Sequence, residues 1–178
     1  MESVILYGSQ YGTTRRYAEA LGRMSGLPVH NAQHKLDLAG CRLAVHLGGL
    51  YAGGVKGLKQ TLQALPQDAR LMIVTVGLAD PADPANVANI RRSISLQVPP
   101  AVLARSQIFH LRGGIDYSKL SLMHKTMMSL LCSHAKKLPP EKQNAETRAM
   151  LETYGKQVDF VDESTLDPVL AAIREALS

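Results

Sequence analysis

Short apolar runs alternate with stretches of helical period along this chain. Val4, Ile5 and Leu6 read as a buried strand, and Arg15–Met24 behind them as a helix. Pro28–Asn31 fit a short second strand. Arg42–Leu47 read as a third, ending at Gly48-Gly49, and Val55–Leu65 as the helix after it, stopped by Pro66. Leu71–Val76 is a nearly continuous apolar run ending at Gly77, the pattern of a central parallel strand covered on both faces. Asp83 is placed to cap a helix opened by Pro84 and running to about Ser95. Gln107–Leu111 supply a fifth strand before Gly113-Gly114. Leu166–Leu177 supply a closing amphipathic helix with Asp167 and Pro168 in its first turn.

Strands that alternate with helices imply an α/β fold with a right-handed, doubly wound parallel sheet. Ligands in that architecture sit beyond the carboxyl ends of the strands, where the glycines of this chain fall. One region exceeds a minimal five-strand unit. Tyr117–Lys137 is a long helical pattern in which Leu120, Met123, Met127, Leu130 and Leu131 recur at helix spacing, with Lys119, Lys125, Lys136 and Lys137 among them. Pro139-Pro140 end it, and Lys142–Tyr154 form a second helical piece before Gly155. Val158–Val161 read as a short strand, one reading of which is the second half of an interrupted fifth strand. The whole chain, 1–178, is expected to be one domain, with 116–155 an inserted helical segment.

Length and composition narrow the picture. The 178 residues suffice for one domain with a full core, and an apolar content of 46% marks the chain as globular. No apolar stretch approaches the ~20 residues of a membrane-spanning helix. The N-terminus lacks the basic-then-apolar run of a signal peptide, and Cys41 and Cys132 stand alone, so the expected compartment is the cytoplasm. A formal net charge of +5 favours contact with something acidic, a phosphate or a carboxylate-rich substrate among the choices, unless the surface is merely basic. An aromatic content of 4% and the lack of basic runs interleaved with aromatics argue against nucleic acid. The six histidines show no metal spacing: a strand and a turn separate His30 from His34, while His46 and His110 lie inside strands. No side chain stands out as a catalytic acid or base.

The sharpest chemical feature is Ser9-Gln10-Tyr11-Gly12-Thr13-Thr14, between the first strand and the first helix. A strand, a turn of small and hydroxyl residues and a helix start direct free N–H groups and hydroxyls at one point, which makes an anion site. Lacking a lysine, the loop is not of the Walker type, and it is not the Gly-x-Gly-x-x-Gly dinucleotide turn. A phosphate monoester on a mononucleotide suits it.

That loop resembles the phosphate loop of flavodoxins, Ser/Thr-x-Thr-Gly-x-Thr. It matches at Ser9, Gly12 and Thr14 and departs at Tyr11, where Thr13 is placed to compensate. Gly48-Gly49-Leu50-Tyr51-Ala52-Gly53-Gly54 follows the third strand, where flavodoxins place a loop against one flavin face. Gly77-Leu78-Ala79-Asp80 follows the fourth, where they place the loop at the pyrimidine edge and the other face. The resemblance implies a three-layer αβα sandwich with a five-stranded parallel sheet of order 2-1-3-4-5, and FMN as cofactor. The residues it implicates are Ser9, Gln10, Tyr11, Gly12, Thr13 and Thr14; Gly49, Leu50, Tyr51, Ala52 and Gly53; Gly77, Leu78 and Ala79; and Gly114 and Asp116. Gly-Gly-Ile-Asp-Tyr-Ser-Lys-Leu at 113–120, the Met-rich helix after it, and Tyr-Gly-Lys-Gln-Val-Asp-Phe-Val-Asp at 154–162 are similar to the subfamily that includes bacterial menaquinone-dependent protoporphyrinogen oxidases. That likeness implies a porphyrinogen or quinone partner and an inserted segment serving substrate or membrane contact.

Several roles stay open at this stage. Tyr51 either stacks on the isoalloxazine or is an ordinary loop tyrosine, and Asp116 either closes the flavin site or caps the next helix. The Met-Leu-Lys helix packs on the domain, lies on an anionic membrane surface at the inner face of the cell, or lines a pocket for a flat apolar substrate. Lys56 and Arg15 near the loops, against Asp80 and Asp116 as the acids, favour a reduced anionic flavin and so an oxidoreductase. The other classes are a non-enzymatic electron carrier and a binding module of the same fold.

Overall fold

The computed structural model describes residues 2–51 and 53–178. Its strands are β1 (Ser3–Gly8), β2 (Val29–Asn31), β3 (Leu43–Tyr51), β4 (Gly54–Val55), β5 (Arg70–Gly77), β6 (Gln107–Arg112), β7 (Gly114–Asp116) and β8 (Gln157–Asp159). The helices are α1 (Thr13–Ser25), α2 (Leu58–Ala64), α3 (Pro84–Gln97), α4 (Pro100–Leu103), α5 (Leu122–Lys137), α6 (Ala145–Thr153) and α7 (Asp167–Leu177).

Five strands pair in parallel in the order β2-β1-β3-β5-β6, with β4 attached only to the end of β3. Counting the parallel strands alone, this is the expected 2-1-3-4-5. Along β1, Ile5 points to one face and Val4 and Leu6 to the other, because strand side chains alternate. The first face packs Ile5, Val45 and Val74 against Tyr17 and Leu21 of α1 and Val169 and Ile173 of α7. The second packs Leu6, Ala44 and Ile73 against Leu58 of α2 and Ile90 and Ile94 of α3. Each fully buried Leu or Ile contributes about 1.5–3 kcal/mol, so the central strands carry most of the apolar driving force. Asp83 caps α3 by accepting from the Ala85 amide at 2.9 Å, with Pro84 in the first turn.

The register brings the carboxyl ends of the strands level. Gly8 lies beside Gly48, Gly48 beside Thr75, and Thr75 beside His110. Glycine at Gly8 is a packing requirement: a Cβ there would stand 2.0 Å from the backbone oxygen of Lys56.

Four expectations are corrected. The third strand does not stop at Leu47 but runs on to Tyr51, because Leu50 and Tyr51 pair back with Val55 and Gly54 in a hairpin. The helix expected from Val55 therefore begins only at Leu58, after Gly57 in the left-handed region (φ +79°). The pattern over Tyr117–Lys137 is interrupted: Asp116 caps a one-turn 3-10 helix at Tyr117–Lys119, and Ser121 caps α5 separately. The expected strand over Val158–Val161 is β8, and it runs antiparallel to β7 in a separate two-stranded sheet instead of completing the fifth strand. The divergence starts at Gly113 and Gly114, where a Cβ on Gly114 would lie 2.3 Å from the Val158 carbonyl oxygen.

Helix α5 also buries a different face from the one the Met/Leu spacing suggests. Met128, Cys132 and Ala135 face inward, whereas Leu122, Met123 and Leu130 are 81%, 72% and 68% exposed. Apolar side chains almost all round the helix leave the smaller residues to decide the close contact.

Candidate functional site

The carboxyl ends of β1, β3 and β5, the start of β7 and the helices α3, α5 and α6 enclose a cavity of about 560 Å³. Its size lies within the ~300–1,000 Å³ usual for small-molecule and cofactor sites.

The loop after β1 forms the first wall. Ser9 Oγ accepts a hydrogen bond from the Gly12 amide at 3.0 Å, which tightens the turn, and Gly12 enters the helix with φ +92°. Gln10, Tyr11, Thr13 and Thr14 face the cavity. Gln10 ties three elements together: its Oε1 accepts from Lys56 Nζ, and its Nε2 donates to His124 Nε2 of α5. His124 can accept there because its Nδ1 hydrogen goes to Ser121 Oγ, 2.8 Å away.

The hairpin β3–β4 forms the second wall through Gly49, Leu50, Tyr51, Gly53 and Gly54. Ala52 lies outside the described residues. Helix α3 holds this hairpin, as Ser93 Oγ donates to the Gly53 carbonyl and Gln97 Oε1 accepts from the Val55 amide at 3.1 Å. Tyr51 stands edge-on to Tyr11, with ring centres 6.4 Å apart. Both hydroxyls point at methionine sulfur on α5: Tyr51 Oη donates to Met127 Sδ at 2.8 Å and Tyr11 Oη to Met128 Sδ at 3.6 Å. Burial, reinforced by the neighbouring Tyr51, pushes the Tyr11 phenol up to about 12, so it remains a neutral donor.

The third wall is the turn after β5. Gly77 and Leu78 face the cavity, and Glu146 of α6 spans the turn, accepting from Leu78 N at 2.9 Å and Ala79 N at 3.0 Å. Arg112 braces the turn from behind, its Nε donating to the Leu78 carbonyl at 3.0 Å while its guanidinium stacks 3.7 Å above the Phe160 ring. Gly113, Gly114 and Ile115 close the end of the cavity, and Met128, Leu131 and Met150 form an apolar roof.

Most residues singled out from the sequence thus meet in one place. Ser9 and Gly12 shape the turn without lining the main cavity, and Ala79 takes part through its amide. Asp116 lies in a neighbouring cavity behind the loop, where its carboxylate accepts from Ser118 N at 3.0 Å and Ser118 Oγ at 2.5 Å as a cap. The charge pattern needs correction. Arg15 pairs with Glu19 on the exposed side of α1, and the Asp80 carboxylate accepts from Ala82 N within its own turn. Among the described residues lining the cavity, the charged one is Glu146; Lys56 and Arg112 stand behind its walls, bonded to Gln10 and to the Leu78 carbonyl. Sequence reasoning missed Glu146 and Arg112, together with Asn86, Asn89 and Ser93 of α3 and Asn144 and Thr147 of α6. Only Asn144 carried a signal, as the cap of a helix, and that signal says nothing about where the helix packs. No group of three or more His, Cys, Asp or Glu among the described residues is arranged to hold a metal ion.

The flavodoxin domain model matches residues 4–142. The chain belongs to the flavodoxin domain family. A cysteine-to-alanine mutant of flavodoxin from Pseudomonas aeruginosa is 17% identical, with 99% of both chains covered and a TM-score of 0.45. A flavodoxin from the domain Archaea is 16% identical, covering 62% of this chain and 85% of its own, with a TM-score of 0.37. Comparison with curated proteins gave no match. FMN is the cofactor of this flavodoxin-type redox protein.

The residues present fit FMN. Thr13 and Thr14 line the cavity where α1 opens, and the free amides of a helix start there favour an anion such as a phosphate end would be. The walls are held open by glycines: a Cβ on Gly77 would come within 2.8 Å of Leu50 Cδ1, and one on Gly113 within 2.9 Å of Thr13 Oγ1. The adjacent amides of Leu78 and Ala79 are donors of the kind a planar carbonyl edge requires.

Proposed function

We propose that this flavodoxin-type protein is an FMN-dependent oxidoreductase of the protoporphyrinogen-oxidase-like type, in which a porphyrinogen gives up electrons and a quinone receives them. FMN, when bound, supplies the electron acceptor. The protein's own residues position it: Ser9–Thr14 around the phosphate, Gly49–Gly53 and Gly77–Ala79 along the ring, and Gly114 at the end. We read residues 116–155 as an inserted helical segment within the single domain. The observation that carries the reading is the roof this segment places over the cavity, where Met128, Leu131 and Met150 offer an adaptable apolar surface to a flat ring. Lys56 beside the loops and the excess positive charge of the chain suit a carboxylate-bearing substrate.

The outward face of α5 extends the same reading to location. Leu122, Met123 and Leu130 project outward beside Lys119, Lys125, Lys136 and Lys137, a pattern suited to the interface of an anionic bilayer. No helix among the described residues is long and apolar enough to cross a membrane. On the pattern of that outward face we place the protein in the cytoplasm, in peripheral contact with the inner face of the cell membrane.

One observation favours an alternative, a non-enzymatic electron carrier. The Glu146 carboxylate sits at the cavity, and negative charge there opposes the addition of electrons. Anaerobic mixing of the FMN-loaded protein with protoporphyrinogen and a menaquinone analogue separates the two. Catalytic formation of fluorescent porphyrin is expected. Failure of either substrate to change the flavin spectrum would leave the carrier.

A further inference from the structure

Glu146 reaches across the cavity from the first turn of α6 and takes both amides of the Gly77–Ala79 turn at once. Its oxygens accept from Leu78 N at 2.9 Å and Ala79 N at 3.0 Å, and they also lie 3.0 and 3.2 Å from where a Cβ on Gly77 would stand. No cation among the described residues forms an ion pair with this carboxylate, so the two backbone amides are its principal partners. Hydrogen bonds from N–H to a carboxylate are stronger than those to a neutral carbonyl. The contact joins residues 67 and 68 positions apart and fastens α6 to the rim of the site.

An isoalloxazine presents a planar edge in which two carbonyl oxygens flank an N–H. Such an edge needs donors, and the Leu78–Ala79 pair supplies two adjacent ones at the cavity wall. The carboxylate and the ring edge cannot both accept from the same two hydrogens. We propose that Glu146 is a competitor for the flavin ring: in the free protein it latches α6 over the cavity, and FMN takes the Leu78–Ala79 amides by displacing it. The inference rests on the FMN reading of the cavity. Apparent FMN affinity is then the intrinsic affinity reduced by the fraction of molecules in which the latch is open.

The test is titration of the apoprotein with FMN and with riboflavin, followed by flavin fluorescence, for wild type, Glu146→Ala and Glu146→Gln. Riboflavin shares the ring and lacks the phosphate, so it separates competition at the amides from relief of long-range repulsion. Glu146→Ala is expected to lower the Kd for both ligands by about the same factor, roughly tenfold. Glu146→Gln, which retains a neutral acceptor, is expected to fall between wild type and Glu146→Ala. Hydrogen exchange gives a second readout: FMN is expected to speed exchange over Ala145–Thr153 in wild type, and Glu146→Ala to show that faster exchange without ligand. Tighter binding of FMN alone would overturn the proposal in favour of simple charge repulsion. Weaker binding of both ligands would overturn it in favour of a direct contact between Glu146 and the flavin. Equal Kd values for wild type and variants would overturn it while leaving the FMN reading intact. Failure of every form to bind FMN would remove that reading and this inference with it.

Discussion

The imidazole of His46 donates its Nε2 hydrogen to the Lys56 carbonyl oxygen 3.0 Å away, from a position with no solvent exposure. The carbonyl can only accept, so Nε2 carries the proton and Nδ1 is left to accept from Thr61 Oγ1 at 2.9 Å. The same Lys56 closes on Gln10 in the loop after β1, so a buried histidine props one wall of the site from beneath.

Burial holds the His46 pKa down to about 4, against an ordinary value near 6.5. The folded protein therefore keeps this ring neutral where the unfolded chain protonates it. Its contribution to stability is complete above ~pH 6.5, falls as the pH drops toward 4, and levels off below that. At ~1.4 kcal/mol per pKa unit the loss amounts to about 3 kcal/mol. Urea unfolding of wild type between pH 7 and pH 4 is expected to show that decline, and His46→Gln a shallower one. Equal slopes would mean that other groups govern acid unfolding.

Two glycines at the strand ends separate folding from binding. Gly8→Ala forces a Cβ to within 2.0 Å of a backbone oxygen that His46 already holds, and is expected to cost about 3 kcal/mol or more. Gly49→Ala meets the Thr14 hydroxyl at 3.1 Å and the Gly8 carbonyl oxygen at an ordinary 3.6 Å, and its stability is expected to stay within about 1 kcal/mol of wild type. Because Gly49 lines the cavity, its methyl group is expected to weaken FMN binding nonetheless. Urea midpoints and FMN titrations on the same two variants check both statements.

The tyrosine-to-methionine contacts fix α5 above the loops. Removing both hydroxyls with Tyr11→Phe and Tyr51→Phe takes away two O–H···S contacts, each worth on the order of 0.5–1 kcal/mol. Hydrogen exchange over Leu122–Lys137 is expected to accelerate several-fold, with the amides of β1, β3 and β5 unchanged. Uniform acceleration across the sheet would instead show that these contacts support the whole domain.

Binding to lipid vesicles tests the outer face of α5. Co-sedimentation with anionic vesicles, lost at high salt and absent with neutral lipid, is the expected behaviour. Leu122→Asp with Leu130→Asp is expected to abolish it without loss of stability, since both side chains are exposed. Unaltered sedimentation of the double variant would assign this face elsewhere.

Much of this architecture was legible in the residues. Apolar runs followed closely by glycine marked four of the five parallel strands, all but Val29–Asn31, because a strand covered on both faces has few polar positions. The hydroxyl-rich turn before α1 marked the loop that forms the first wall of the cavity, since its residues are contained within six consecutive positions. The rest depends on contacts between distant residues. Nothing near Glu146 announces that its carboxylate returns to Leu78 and Ala79. The inward face of α5 was hidden for a different reason: Met123 and Leu130 are as apolar as Met128, and packing against Ile115 and Tyr117 selected the face bearing Cys132 and Ala135. The β4 hairpin was concealed by its length of only two residues.

The pairing of Asp116 with Gln157 across the β7–β8 ladder gives residues 117–156 a common point of departure and return. The ladder itself meets the entropic cost of bringing the two ends together, whatever chain lies between them. Gly113 ties that junction to the main sheet, its amide donating to the Gly77 carbonyl at 2.7 Å and its carbonyl accepting from the Phe160 amide at 3.0 Å. On the proposed reading of 116–155 as an insertion, the stretch between Asp116 and Gln157 is a cassette whose outward face can change while Met127, Met128 and Glu146 stay bonded to the loops of the flavodoxin core.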